Sequence, residues 1–271
     1  SVCDYIYVLE FGQIIAQGKH PLVIFPEGII TRSNDHLADF MDGSLFMARA
    51  AAKQAGQGEV IIHPVFIRYF FEGDLSRTIT PALESIERRL SWQPQTQLPL
   101  RERIRKVGGA LLDLKEIEHL QKSQPGTFGE RLRRLEDHLL SRHEDQWTPG
   151  RHDGGSMSRV KRLRAAILPD LLAGNLTETE KTDRWRTFAD LYLVQQLHCY
   201  PGDYLDHPTS ERTLETVERY EEDLTDAARS HGPIRAVITV GDAIEVDANR
   251  TPRGTDPLAD RLRQEMEALL G

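Results

Sequence analysis

The chain has 271 residues, of which 39% are hydrophobic and 28% charged, enough apolar surface for a core and too much charge for a polytopic membrane protein. Its formal net charge of −8 excludes a global positive field that would draw it onto nucleic acid or anionic lipid, so any anion site is local. Cys3 and Cys199 are its only cysteines, which supports neither a disulfide framework nor a structural zinc site, and a reducing cytoplasm is the expected location.

Val2, Tyr5, Ile6, Leu9, Ile14 and Ile15 fall mostly at three- and four-residue steps and predict a helix over 1–16, stopped by Gly18. Residues 21–25 read as a buried strand closed by Pro26-Glu27-Gly28, with the polar stretch 31–36 following as a loop. The small residues of 43–54 predict a helix, and 60–69 a second buried strand. Strand, helix, strand in that order predicts a parallel α/β sheet. Helical periodicity then covers 81–92, 100–120, 128–145, 159–172, 178–199 and 210–230, with Ile104, Val107, Leu111, Leu114 and Ile117 as one apolar stripe. The Gly-rich stretch 149–156 reads as a break between two helical hairpins. Strand patterns return at 234–240 and 241–246, before a closing helix from about 256 to 270. The apolar runs fall short of the ~20 residues of a spanning helix, and no internal repeat stands out. The predicted organisation is an α/β domain, a mainly parallel sheet flanked by helices, built from 1–75 and 233–271 and interrupted by a helical insertion over 76–232.

The sharpest motif is Phe25-Pro26-Glu27-Gly28, with Thr31, Arg32 and Ser33 after it. Gly28 lets backbone N–H groups approach an anion, Arg32 pairs with a phosphate, and Glu27 accepts from a hydroxyl or holds Arg32. These residues describe a site for a phosphate-bearing polyol. The same string also suits a strand that ends in a Pro-Gly turn beside solvated polar residues.

Around this motif the chain resembles the glycerol-phosphate and lysophosphatidate acyltransferase (PlsC-like) superfamily. The resemblance rests on Gly18-Lys19, the Leu-Val-Ile run into Phe25-Pro-Glu-Gly28, Arg32-Ser33, Gly43, Pro64 in His63-Pro-Val-Phe-Ile67, and the late 238–246 segment. It covers 1 to about 75 and about 233 to 270. It implies transfer of a fatty acyl group from acyl-CoA or acyl-carrier protein to a glycerol-phosphate-type hydroxyl, with no cofactor and no metal. By position, Phe25, Pro26, Glu27, Gly28, Thr31 and Arg32 inherit acceptor binding, and Pro64 the shaping of the acyl side. The family usually has Thr directly after the Gly, whereas Ile29-Ile30 intervene here. Its catalytic His-x4-Asp motif lies upstream of Phe-Pro-Glu-Gly, so the resemblance places it before Ser1 and implies a fragment inactive alone. The alternative is a non-catalytic protein that binds a lipid phosphate or phosphometabolite.

One His-x4-Asp string does occur, His198 to Asp203, within the helical segment; it is a candidate catalytic pair or simply a helix end at Tyr200-Pro-Gly. Cys199 reads as a small buried hydrophobe. His138, His143 and His152 lack the spacing of a metal site. The basic segments 101–106 and 159–164 suit either peripheral contact with the cytoplasmic membrane face or a solvated helix surface.

Overall fold

In chain order the elements are α1 (Asp42–Ala55), β1 (Ile61–Ile62), β2 (Val65–Phe71), α2 (Leu75–Arg89), α3 (Leu100–Leu120), α4 (Phe128–Trp147), α5 (Ser156–Ala173), α6 (Glu178–His198), α7 (Ser210–Thr225), β3 (Ile234–Val240), β4 (Ile244–Glu245) and α8 (Pro257–Leu270). They belong to a computed structural model that describes residues 14–15, 18, 20–28, 30–31, 33–55, 59–198, 206–249 and 256–271. The chain forms two units, one from 1–30, 34–70 and 235–271, the other from 31–33 and 71–234. Among the described residues no helix is long and apolar enough to cross a membrane.

The expected mainly parallel α/β sheet is not what forms. The described residues are mostly helical, with two small antiparallel sheets. β1 pairs antiparallel with β4, Ile61 opposite Glu245 and Ile62 opposite Ile244, while β2 pairs with β3. The expected strand at 21–25 has no ladder, and Val23 and Phe25 are 78% and 76% exposed. An apolar run needs a neighbour to become a strand, and this one has none among the described residues. The expected strand over 60–69 breaks at His63-Pro64, where proline has no N–H to give a ladder. Beyond the break, Phe66 is buried while Val65, Ile67 and Tyr69 are exposed. That alternation belongs to a one-sided antiparallel strand, whereas parallel strands are buried on both faces. Asn34 blunts the strand at Tyr69, its Nδ2–H donating to the Tyr69 carbonyl and its Oδ1 accepting the Tyr69 N–H, each at 2.6 Å.

In this unit α1, β1, β4 and α8 share a core that includes Leu45, Ala51, Val60, Ile244, Leu262 and Met266. α8 starts at Asp256, whose carboxylate accepts the Leu258 N–H at 3.1 Å and takes both Nη groups of Arg49, Nη1 at 2.7 Å. The Arg49 bond, with burial opposing it, holds the Asp256 carboxyl below its ordinary 3.8. A depressed acid stabilises the fold fully above its unfolded value and loses that contribution as pH falls through its folded value. Asp256→Ala is expected to cost about 1–3 kcal/mol at pH 7, a cap plus a charged hydrogen bond. Urea titrations at pH 7 and pH 3 check this: the gap between wild type and variant shrinks at pH 3, and a constant gap assigns the cost to something other than the ion pair.

The helical unit packs around two cores. α2, α3 and α7 bury Ile79, Leu83, Ile86, Ile104, Val107 and Val217, while α3, α4, α5 and α6 bury Leu112, Leu135, Leu139, Leu163, Leu191 and Val194. The expected stripe on α3 holds for its first members; Leu114 and Ile117 are about half exposed, because α3 turns from one core to the other along its length. The start of α4 carries a capping box, Thr127 and Glu130 bonding each other's backbone N–H. Residues 149–156 join α4 to α5, which share one core with α6, so the Gly-rich break is a helix connection inside this unit.

An internal repeat runs through this unit. Arg103, Arg131 and Arg159 stand 28 residues apart, each followed by a buried apolar residue and, three further on, another: Ile104 and Val107, Leu132 and Leu135, Val160 and Leu163. Each guanidinium lies in the first turns of its helix and grips a carboxylate near the end of the preceding one. Arg103 donates Nε–H and Nη2–H to Glu87 at 3.0 and 2.9 Å, Arg131 to Glu116 at 3.0 and 2.7 Å, and Arg159 to Glu144 at 2.9 and 2.7 Å. The same carboxylates hold the connecting loops eight residues on, through the Gln95 N–H, the Gln124 N–H and the His152 ring. The three glutamate side chains are 0% exposed. Helix, clamp and loop thus recur three times over α2–α5.

Candidate functional site

The Phe25–Gly28 motif forms a tight turn in which the Gly28 N–H donates to the Phe25 carbonyl at 3.2 Å. Gly28 has φ +65°, and a Cβ added there would stand 3.1 Å from Met41 Cγ. The position therefore requires glycine both for its left-handed backbone and for the space over Met41. The Met41 N–H donates to the Pro26 carbonyl at 2.7 Å, closing the loop that runs from 26 to 41.

Inside this loop Glu27 Oε1 accepts the Ala38 N–H at 3.1 Å. Burial pushes the Glu27 carboxyl above its ordinary 4.5, while the Ala38 bond and the nearby charges of His36 and Arg263 pull it down in part. Arg263, on α8, also donates to the Ala38 carbonyl at 3.4 Å, pairs with Asp39 at 3.5 Å and with Glu267 at 2.9 Å, and lies over the Phe40 ring. The arrangement is a half-buried acid with two basic side chains nearby on a loop pinned at three places. Such a loop can hold a hydroxyl on the carboxylate while a cation offsets an anionic group.

A raised acid stabilises the fold most below its unfolded value of 4.5, and the contribution is lost as pH rises through the folded value. Glu27→Gln keeps an oxygen for the Ala38 N–H and removes a carboxylate that is costly to bury. Its Tm at pH 7 is expected to be unchanged or up by as much as about 2 °C. Calorimetry that shows a clear fall would make the charge part of the loop's scaffold.

The structure brings together Phe25, Pro26, Glu27 and Gly28, but not the whole predicted set. Thr31 and Ser33 group with the helical unit, where the Ser33 N–H reaches Thr31 Oγ1 at 3.4 Å. Arg32 lies outside the described residues, as do Asp203, Cys199 and Lys19. Pro64 has a structural contact: its carbonyl accepts the Gly241 N–H at 2.8 Å. His198 is in the helical unit with Nδ1 3.5 Å from Glu136 Oε2. His143 Nε2 faces Asp190 at 2.8 Å, and His152 faces Glu144 and Asp145. Among the described residues no group of three or more His, Cys, Asp or Glu is placed to hold a metal.

Two groups were beyond the sequence reading. Arg263 and His36 carry no local motif, and Arg263 reaches the loop only because α8 packs into the same core as α1. The basic segments also change meaning. Arg103 and Arg159 are inner ion-pair partners, Arg162 donates to the Arg151 and Asp153 carbonyls, and Arg164 donates to Gln195 Oε1 at 2.5 Å. No family model matches the chain, and neither does any curated protein or solved structure compared with it.

Proposed function

We propose that the loop from Phe25 to Met41 binds the glycerol-phosphate part of an acyl acceptor, and that the protein serves glycerolipid acyl transfer. In that chemistry an acceptor hydroxyl attacks the carbonyl carbon of an acyl-CoA or acyl-carrier-protein thioester, the C–S bond breaks, and the thiol leaves. The observation that carries the reading is the half-buried Glu27 beside Arg263 and His36, on a turn with glycine at φ +65°. A glycerol hydroxyl can donate to Glu27, and the elevated carboxyl repels a neighbouring phosphate less than an ordinary one would. Arg263 supplies the cation.

The site works at a membrane surface in this reading. Val23, Phe25 and Ile30, all more than three-quarters exposed, flank the turn and suit shallow insertion among lipid headgroups. In this reading the peripheral contact lies on the acceptor loop, since several cations of the two basic helix segments are already engaged.

Calorimetric titration with sn-glycerol 3-phosphate and a short-chain lysophosphatidate tests the assignment. Glu27→Gln and Arg263→Ala are each expected to weaken binding of both about tenfold, close to 1.4 kcal/mol. Wild-type affinity in both variants overturns the site. Phe25→Ser is expected to reduce sedimentation with phosphatidylglycerol vesicles by at least half while sparing glycerol 3-phosphate binding; equal sedimentation removes the membrane contact.

A further inference from the structure

β3 is a strand with one neighbour: it forms a two-stranded sheet with β2. The Gly241 N–H donates to the Pro64 carbonyl at 2.8 Å and the Glu72 N–H to the Pro233 carbonyl at 3.0 Å. Those two bonds set Val65 opposite Val240, Ile67 opposite Ile238 and Tyr69 opposite Ala236. In that register the odd-numbered residues of β3 turn their N–H and C=O groups to β2. Those of Ile234, Ala236, Ile238 and Val240 point the other way, along an edge that no strand of the described residues covers.

The two edges of this sheet differ. On β2 the outward N–H and C=O of Tyr69 are taken by the Asn34 side chain, and the outward Phe71 N–H by Glu211 Oε1 at 3.0 Å. Side chains that occupy an edge in this way keep another strand from adding there. Among the described residues no side chain caps β3 so, and the strand holds no proline. Its one charge, Arg235, lies back over the Phe70 ring of the same sheet, 5.0 Å from its centre. Six of its seven residues are exposed, Ile238 at 65% and Val240 at 60%. Branched apolar residues bare along an open edge are a template for a further strand, and a two-stranded sheet is marginal without one.

We propose that the β3 edge is a homodimer interface, at which β3 of a second copy adds antiparallel about a two-fold axis at Val237 and completes a four-stranded sheet. The strand is complementary to itself about that axis. Ile234 faces Val240 of the other copy and Ala236 faces Ile238, so a small side chain meets a large one and the outward N–H and C=O groups pair. Arg235 faces Thr239, which keeps the two like charges at opposite ends. The contact is isologous, and the Asn34 cap on the far edge of each β2 ends the sheet at four strands. Pairing therefore closes at two copies and does not run on as a fibre. The assignment does not depend on the Glu27 loop or on acyl transfer.

Sedimentation velocity of the full chain between about 1 and 200 µM tests this, with half-dimerisation expected below about 50 µM. Ala236→Pro removes an outward donor and leaves the β2 ladder its bonds, while Ile238→Lys sets two ammonium groups near the axis. Each is expected to raise the dimer dissociation constant at least tenfold, with the monomer's circular dichroism and melting unchanged from wild type. Cross-linking in a Cys3→Ser, Cys199→Ser background reads the register. Val237→Cys faces its own copy at a position without backbone bonds, where Cα atoms lie about 4.5 Å apart, and is expected to form a disulfide dimer under mild oxidation. Thr239→Cys stands about 14 Å from its own copy, four residues at roughly 3.4 Å each, and is expected to stay monomeric on a denaturing gel. A monomer throughout the concentration range, whether or not a peptide or a lipid vesicle captures it, overturns the second copy as occupant. A dimer that both edge variants leave intact, or equal cross-linking at 237 and 239, overturns the proposed pairing.

Discussion

Arg159→Met will lower the unfolding free energy of the helical unit by about 3–5 kcal/mol, the cost of leaving a buried carboxylate without its partner. Glu144 is 0% exposed on its side chain and takes Nε and Nη2 of Arg159, which also donates to Asp137 and Ser141. Removing the guanidinium strands Glu144 where water does not reach it, beside the half-exposed His152. For a unit of this size the loss corresponds to a fall in Tm of roughly 6–20 °C. The double variant Glu144→Met, Arg159→Met separates pair strength from desolvation. Two methionines fill the space without a charge to desolvate, so the double variant is expected to recover most of the loss. Urea denaturation followed by circular dichroism gives both numbers. A single-variant cost under 1 kcal/mol, or a double-variant cost near the sum of the two singles, would refute this account. The same design at Glu116 and Arg131 tests whether the repeated clamps are energetically alike.

Two adjacent glycines in α3 are expected to respond to alanine with opposite signs. At Gly108 an added Cβ would lie 2.2 Å from the Tyr220 hydroxyl and 2.9 Å from Cζ, while at Gly109 it would meet nothing within 4 Å. Glycine inside a helix costs about 0.8–1 kcal/mol relative to alanine. Gly109→Ala therefore gains up to about 1 kcal/mol. Gly108→Ala makes the same propensity gain but must displace a tyrosine that is 6% exposed and packed with Leu214 and Val217. Overpacking of that kind costs typically 1–3 kcal/mol, so its balance is zero or unfavourable and the two variants lie about 1–3 kcal/mol apart. Paired thermal melts decide it. Equal stabilisation by both would mean that Tyr220 moves aside freely, and the α3–α7 contact is then looser than its burial indicates.

The sequence and the structure part company at identifiable residues. Helix spans were legible: the bounds read for α3 are those found, and α4, α5, α6 and α8 differ by a few residues at an end. α2 differs more, running from Leu75 to Arg89 where the periodicity covered 81–92, with Pro81 inside the helix. The sheet is where sequence and structure differ. Val23 and Phe25 have the composition of a buried strand and are exposed, while the run Val65-Phe-Ile-Arg-Tyr-Phe-Phe71 is apolar on both faces and only its burial, with Phe66 inside and Val65, Ile67 and Tyr69 outside, shows a one-sided strand.

The repeat was in plain view as Arg103-Ile-Arg-Lys-Val107, Arg131-Leu-Arg-Arg-Leu135 and Arg159-Val-Lys-Arg-Leu163. Arginine is ordinarily a surface residue, and a run of cations next to apolar residues reads as an amphipathic face, so the strings by themselves do not mark a buried clamp. Only the packing reveals that the first arginine of each string turns inward to a glutamate from the helix before. The candidate site divides in the same way. Gly28 and Glu27 announce a turn with an acid, whereas Arg263 and His36 enter through the fold.

By itself the sequence determined the helices, since each N–H finds its carbonyl four residues back and the caps lie within a turn of the ends. It also determined the glycine turn at Gly28, which needs a residue without a Cβ. Tertiary structure alone decided which strands pair, which charges are buried and which side chains surround Glu27. Those depend on contacts between residues more than two hundred positions apart, such as Arg49 with Asp256, and no local pattern encodes the partner.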